Sequence, residues 1–306
     1  MSYDDKQWGA MVDNQNFVKK TVAEFENDKE SEDSDAVIFD ANKDGYQDIY
    51  ISNDKPINPN ILYKNNGDNT FTDISVSSGT DVAIDAMTVT VGDFNNDNLP
   101  DVFVANDFLE PDFLYINQGN GTFKNEILNY FKHISANSMG SDFADINNDL
   151  KPDLIVLDML AEDHIRSKEN MATMSTENFN AIVNVGYHHQ YMSNMLQLNN
   201  GNNSFSEIGQ LAGIAKTDWS WAPLIADFDN DVFNDLFVTN GIENDLSNQD
   251  FRNQVKENIK AKKKMTLEEA IALMPSTKLS NYMFLNNADF TFKDVSSEFG
   301  FVEKVN

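Results

Sequence analysis

Four short stretches of this chain carry their acidic residues in one order. "DANKDGYQD" spans 40–48, "DFNNDNLPD" 93–101, "DINNDLKPD" 145–153 and "DFDNDVFND" 227–235. All fit D-x-[DN]-x-D-x-x-x-D. Each follows an apolar or small-residue run, such as "AVIF" or "PLIA", and each leads into another: "IYIS", "VFVA", "LIVL" and "LFVT". Short apolar runs bounded by Asp, Asn and Gly read as strands. Self-similarity at long spacing constrains the fold more than any local propensity, because it marks a repeated unit.

A second motif alternates with the first: "LYKNNGDNTFTDIS" at 62–75, "LYINQGNGTFKNEI" at 114–127, "LQLNNGNNSFSEIG" at 196–209 and "MFLNNADFTFKDVS" at 283–296. Alternating apolar residues, an Asn/Gly turn and a strand with Phe make a β-hairpin signature. A shorter copy, "MVDNQNFVKKT", sits at 11–21. The first loop residues lie 53, 52 and 82 apart, and the hairpin residues Phe71, Phe123, Phe205 and Phe292 lie 52, 82 and 87 apart. The unit is therefore about 52 residues and four strands, with insertions in the third and fourth copies, at about 158–194 and 246–279. Such units predict an all-β chain, a β-propeller of four full blades and a partial one forming a single domain over 1–306. Similar hairpins in a β-sandwich are the alternative, disfavoured because the long repeats keep register.

The loops have a chemical reading. Calcium takes about 6–8 oxygen ligands. Side chains at loop positions 1, 3, 5 and 9 with the carbonyl of position 7 can supply them. The candidate sets are Asp40, Asn42, Asp44 and Asp48 with Tyr46; Asp93, Asn95, Asp97 and Asp101 with Leu99; Asp145, Asn147, Asp149 and Asp153 with Lys151; and Asp227, Asp229, Asp231 and Asp235 with Phe233. Magnesium rarely uses such cages, and zinc and copper prefer nitrogen or sulfur. An EF-hand would need Glu at position 12, where this chain has Ile51, Val104, Val156 and Val238. Up to four Ca2+ ions are expected, in strand–loop–strand sites. Position 6 needs positive φ. Gly45 suits it and Asn98 tolerates it, whereas Leu150 and Val232 fit poorly, so the third and fourth loops are expected to bind more weakly or bend differently.

The loop followed by "LYKNNGDNTFTDIS" resembles the FG-GAP/VCBS repeats of integrin α-subunits and bacterial surface proteins. With "DMLAEDHIRSK", "YHHQYMSNMLQLNNG" and "TDWSWAPLIADFDND" the resemblance is closer to bacterial VCBS-repeat proteins of the ASPIC/UnbV group, to which cartilage acidic protein is related. It covers about residues 10–300. It implies a calcium-bearing propeller, usually of seven blades, at an extracellular, outer-membrane-surface or periplasmic location, meeting a glycan or protein. The chain departs from that pattern in its number of units and in lacking an ASPIC/UnbV module, which reads as a segment of a longer protein. Its N-terminus, "MSYDDKQWGAM", shows no leader.

Ligand contact is expected on the inserted segments. The third-unit insertion offers His164, Arg166, Lys168, His188 and His189, a mix that suits a glycan or peptide; a lid packed on the propeller is the plainer reading. Phe179, Ile182 and Val183 have helical spacing and read as packing. The fourth insertion reads as two helices, with a Phe251/Val255/Ile259 stripe and lysines at 256, 260, 262, 263 and 264. Those lysines suit an acidic polysaccharide or partner, or simply a solvated face. Trp219 and Trp221 alternate, so a strand would turn both to one side, toward the core or an inner channel.

With 22 basic and 50 acidic residues, the chain carries a formal charge of −28, which repels nucleic acid and favours cations. There is no cysteine, hence no disulfide, thiolate metal site or thiol nucleophile. No apolar run approaches a membrane span. No catalytic motif stands out either. The expectation is a non-catalytic binding scaffold. The alternative is a calcium-dependent polysaccharide lyase, with His164 beside Arg166 or Lys168, or the His188/His189 pair, as its machinery.

Overall fold

The computed structural model describes residues 33–301 except 55, 109, 171–174 and 264. The short hairpin copy at 11–21 lies outside the described residues. Four antiparallel four-stranded sheets follow one another, each with its strands in chain order. The first holds β1 (Asp33–Phe39), β2 (Asp48–Asn53), β3 (Ile61–Asn65) and β4 (Phe71–Asp73). The second holds β5 (Ala86–Gly92), β6 (Asp101–Asn106), β7 (Phe113–Asn117) and β8 (Phe123–Asn125). In the third, β10 (Ser141–Ala144), β11 (Asp153–Val156), β13 (Met195–Asn199) and β14 (Phe205–Glu207) are paired; in the fourth, β15 (Ser220–Ala226), β16 (Asp235–Asn240), β17 (Tyr282–Asn286) and β18 (Phe292–Asp294). The acidic loop joins the first two strands of every sheet, and the Asn/Gly turn joins the last two.

The second strands carry the most apolar runs and are the most deeply buried. β2 and β6 are buried along their whole length, as the reading of "IYIS" and "VFVA" requires. A parallel sheet, buried on both faces, can read the same way; here the first, third and fourth sheets pair antiparallel throughout, as do β7 and β8. The exception is a separate two-stranded parallel ladder, β9 (Ile134–Ser135) with β12 (Gln190–Tyr191).

Among the described residues the chain divides into two compact units. One holds the residues up to Asp93 with Asp97–Val104 and Leu114–Asn125; the other holds Phe94–Asn96, Ala105–Phe113 and the residues from Glu126 on. In the first, Tyr50, Leu62, Val102, Phe103, Leu114 and Tyr115 are buried, and Asp35 of β1 accepts the Thr88 hydroxyl and the Val89 N–H of β5. In the second, Ile155, Leu157 and Leu196 of the third repeat pack with Leu236, Val238 and Phe284 of the fourth.

Helical segments occupy both insertions: α3 (His164–Asn170) and α4 (Thr176–Asn184) in the third repeat, α6 (Gln249–Lys260) and α7 (Leu267–Ile271) in the fourth. Single-turn helices follow three of the hairpins, α1 (Ser75–Ser78), α2 (Ile127–Tyr130) and α5 (Gly209–Ala212). None of the helices is long and apolar enough to cross a membrane, among the described residues.

Candidate metal centres and inserted face

Each acidic loop is folded around its first aspartate. The N–H of position 5 donates to Oδ1 of position 1 in all four: Asp44 to Asp40 at 3.1 Å, Asp97 to Asp93 at 3.1 Å, Asp149 to Asp145 at 3.2 Å and Asp231 to Asp227 at 3.1 Å. The N–H of position 6 donates to Oδ2 of the same residue, at 2.9, 2.7, 2.8 and 3.0 Å in chain order. The N–H of position 7 then donates to the carboxylate at position 5. The loop is thus wound so that its side-chain oxygens turn inward, and the backbone donors fix their orientation.

Winding it this way requires left-handed backbone at two positions rather than one. Position 6 has φ of 90° at Gly45, 66° at Asn98, 66° at Leu150 and 78° at Val232. Position 4 is left-handed too, at Lys43, Asn96, Asn148 and Asn230. The expectation that the third and fourth loops bend differently is therefore corrected. Their hydrogen bonds hold Leu150 and Val232 in the left-handed conformation that Gly45 adopts, at a cost in backbone strain. Asparagine at three of the four fourth positions was the signal for the second left-handed residue.

Position 9 has a second task. Asp48, Asp101, Asp153 and Asp235 are almost wholly buried. Their Oδ1 accepts the N–H of the asparagine that ends the third strand: Asn65 at 2.8 Å, Asn117 at 2.8 Å, Asn199 at 2.8 Å and Asn286 at 2.9 Å. That asparagine returns an amide N–H to the carbonyl of position 8, at Gln47, Pro100, Pro152 and Asn234. Its own Oδ1 accepts the N–H of the turn residue, Gly67, Gly119, Gly201 or Ala288. Loop and hairpin are one hydrogen-bonded assembly. Burial raises Asp153 to about 7, with Asp145 and Asp149 adding to the effect, and it raises Asp48 and Asp235 in the same direction.

These residues fit a hard cation. In the fourth loop carboxylate oxygens of Asp227, Asp229 and Asp235 lie within 4.8 Å of one another. The donor set is oxygen only, as calcium prefers. In the other loops position 3 is an asparagine, whose amide oxygen would serve the same place.

The inserted segments distribute their polar residues unevenly. Arg166 faces inward: its Nε lies 2.8 Å from Asp218 and its Nη1 2.7 Å from Asp245, with the side chain 11% exposed. Thr277 also donates to Asp245. Arg166 thus ties α3 to the loop before β15 and to the fourth insertion. His188 is buried against the carbonyls of Phe131 and His189, and burial lowers its pKa. His164, Lys168 and His189 are exposed. Trp221 is 45% exposed and donates its indole N–H to the Gly241 carbonyl, while Trp219 is half-buried just before β15. Gly140 passes so close to the Trp221 carbonyl that no Cβ fits there.

A cluster of side chains not grouped by the sequence surrounds the parallel ladder. His133 stacks edge-on against Tyr191, with ring centroids 5.4 Å apart, and lies 3.4 Å from Glu207. Phe179 of α4 reaches both Tyr191 at 5.1 Å and His189 at 6.0 Å. Tyr191 remains 42% exposed. Phe179 does pack, as its helical spacing implies, yet it packs on an open aromatic group. No local motif could have shown this, because β9 and β12 meet only through the insertion.

Two overlapping stretches, 40–104 and 93–156, match the family model described as an FG-GAP-like repeat. Over residues 40–156 the chain is thus similar to FG-GAP-like repeats, found there twice. Each match runs from one acidic loop into the strand after the next, so the matched unit is the loop-and-sheet module just described. No curated protein matches this chain. A solved structure titled "Structural basis of specific recognition of non-reducing terminal N-acetylglucosamine by an Agrocybe aegerita lection" is similar at 15% identity and a TM-score of 0.40, over 86% of this chain and 52% of that one. The chain thus spans about half the length of that structure.

Proposed function

We propose that this chain is a calcium-binding scaffold of propeller type, whose repeats are blades and whose inserted face meets a glycan or protein ligand without catalysing a reaction. The observation that carries the reading is the common architecture of the four loops. One hydrogen-bond scheme turns the same oxygen donors inward in each, and in the fourth three carboxylates converge. Repulsion among ionised carboxylates at that range is relieved by a divalent cation.

The loops are open to water at positions 5 and 6, which favours modest affinity. Extracellular calcium modules work at about 10⁻⁴–10⁻³ M. This supports a location outside the cytoplasm, as does the resemblance to surface proteins of the ASPIC/UnbV group. The exposed residues His164, Lys168, His189, Tyr191 and Trp221 are where the ligand is expected. A lyase would need a base and a free cation. Arg166 is held by two carboxylates and His188 by two carbonyls, which leaves the exposed His164 and Lys168 as the pair that such chemistry would have to use.

Calcium titration by calorimetry tests the metal claim. It should give up to four sites, and Asp227→Ala with Asp229→Ala should remove one; a chain that takes up no calcium contradicts the reading. Incubation with acidic polysaccharides tests the non-catalytic claim, and steady release of unsaturated product would overturn it.

A further inference from the structure

The fourth insertion is the electrostatic opposite of the rest of the chain. Between 249 and 264, six of sixteen residues are Lys or Arg and two are acidic, and α7 adds Glu268 and Glu269, which still leaves the segment net positive in a chain with 50 acidic residues against 22 basic. None of the described residues of α6 or α7 is buried. The stripe on α6 is half-buried at Phe251 and Val255, where α6 runs beside α3, and then opens to solvent at Ile259. Ile259 is 68% exposed, Leu267 76%, Ile271 43% and Leu273 38%. Lys256, Lys260, Lys262 and Lys263 are exposed among them in the chain. The stripe thus packs only over its first half.

Exposed aliphatic side chains occur elsewhere with one or two basic neighbours, as at Leu150 beside Lys151 and Ile165 beside Arg166 and Lys168, or with none, as at Val185. What distinguishes α6–α7 is that four such side chains and four exposed lysines fall between 256 and 273. Lysines alone would suit an acidic polysaccharide, which has no use for exposed isoleucine and leucine. A surface that is anionic outside and apolar beneath uses both, and stable attachment to such a surface takes two signals of this kind. We propose that α6–α7 docks on an anionic lipid surface, with the lysines at the headgroups and Ile259, Leu267, Ile271 and Leu273 entering the boundary below. Charge complementarity commits the site to that occupant, since the remainder of the chain is strongly acidic and is itself repelled by such lipids.

Flotation of the whole chain with vesicles tests this. Phosphatidylcholine vesicles are compared with vesicles of phosphatidylcholine and phosphatidylglycerol in equal parts, in chelator so that calcium cannot bridge acid to lipid. Binding to the mixed vesicles alone is expected, weakening as salt rises. Each lysine near an anionic surface strengthens binding roughly fivefold, so the neutralising triple variant K260Q/K262Q/K263Q should weaken it roughly 100-fold. Ile259→Ser with Leu267→Ser should weaken it while leaving the salt dependence in place. All five positions are exposed, so the variants should melt as the parent does, and a melting curve checks that. Equal binding to both vesicle types, undiminished binding of the lysine variant, or retention by alginate or polyglutamate with none by vesicles would overturn the proposal. A melting curve in the same chelator shows that the chain is folded in the assay, so a failed flotation counts against this proposal alone, and a failed calcium titration leaves it untouched.

Discussion

A valine with φ of 78° pays for its side chain. The left-handed region costs an L-residue roughly 1–2 kcal/mol, and β-branching adds crowding. Val232 is 76% exposed, so little packing offsets that strain. Glycine would remove it and return roughly 0.5–1 kcal/mol as unfolded-chain entropy. Val232→Gly is therefore expected to stabilise the chain by about 1 kcal/mol, measured as a higher urea midpoint at unchanged slope. A lower midpoint would mean that the loop does not hold this conformation. Arg166 is the opposite case, a residue whose removal exposes others. Replacing it with Met leaves Asp218 and the buried Asp245 without their cation. Breaking a buried pair from one side costs about 3–5 kcal/mol. A comparably large fall in stability by denaturant titration is expected, and a change within error would show that the pair is solvated.

At the scale of elements, the repeat was legible in the sequence because each part has a local signature. Loop order, the apolar second strand and the Asn/Gly turn all survive as short patterns. The stitch between them did not show. The carboxylate at position 9 reads as a metal ligand, and nothing local says that it also accepts the N–H of Asn65, Asn117, Asn199 or Asn286 far along the chain. The inserted segments were less legible still. His188 and Arg166 read as free polar residues, yet their partners lie on other elements. The parallel ladder has one consequence for pH. Asp158 follows β11 and accepts the Ser135 hydroxyl and the Ala136, Asn137 and Ser193 N–H groups, holding β9 and the return of the insertion together. Burial raises it to about 6, and burial, with a smaller contribution from the Asp158 charge, raises Asp112 to about 7. The native state thus binds this proton more tightly than the unfolded chain. The associated stability is complete below the ordinary value of 3.8 and is lost as pH rises through about 6. Stability measured from about pH 4 to about 7 should fall less steeply in Asp158→Asn than in the parent. An identical slope would show that Asp158 does not titrate in that window.

For the whole molecule, charge is the quantity to explain. A formal −28 on 306 residues opposes a compact state unless part of it is neutralised. Four divalent ions would neutralise eight of those charges, at loops that tie the strands of each sheet to its hairpin. A ligand bound only by the native state stabilises it by about 2.7 kcal/mol at a hundredfold excess over its dissociation constant, for each site. Thermal unfolding with and without calcium therefore addresses the account most directly. The melting temperature should rise by many degrees from excess EGTA to millimolar calcium, and much less when magnesium replaces calcium. Superimposable melting curves in chelator and in calcium would contradict the assignment of the four loops as calcium sites.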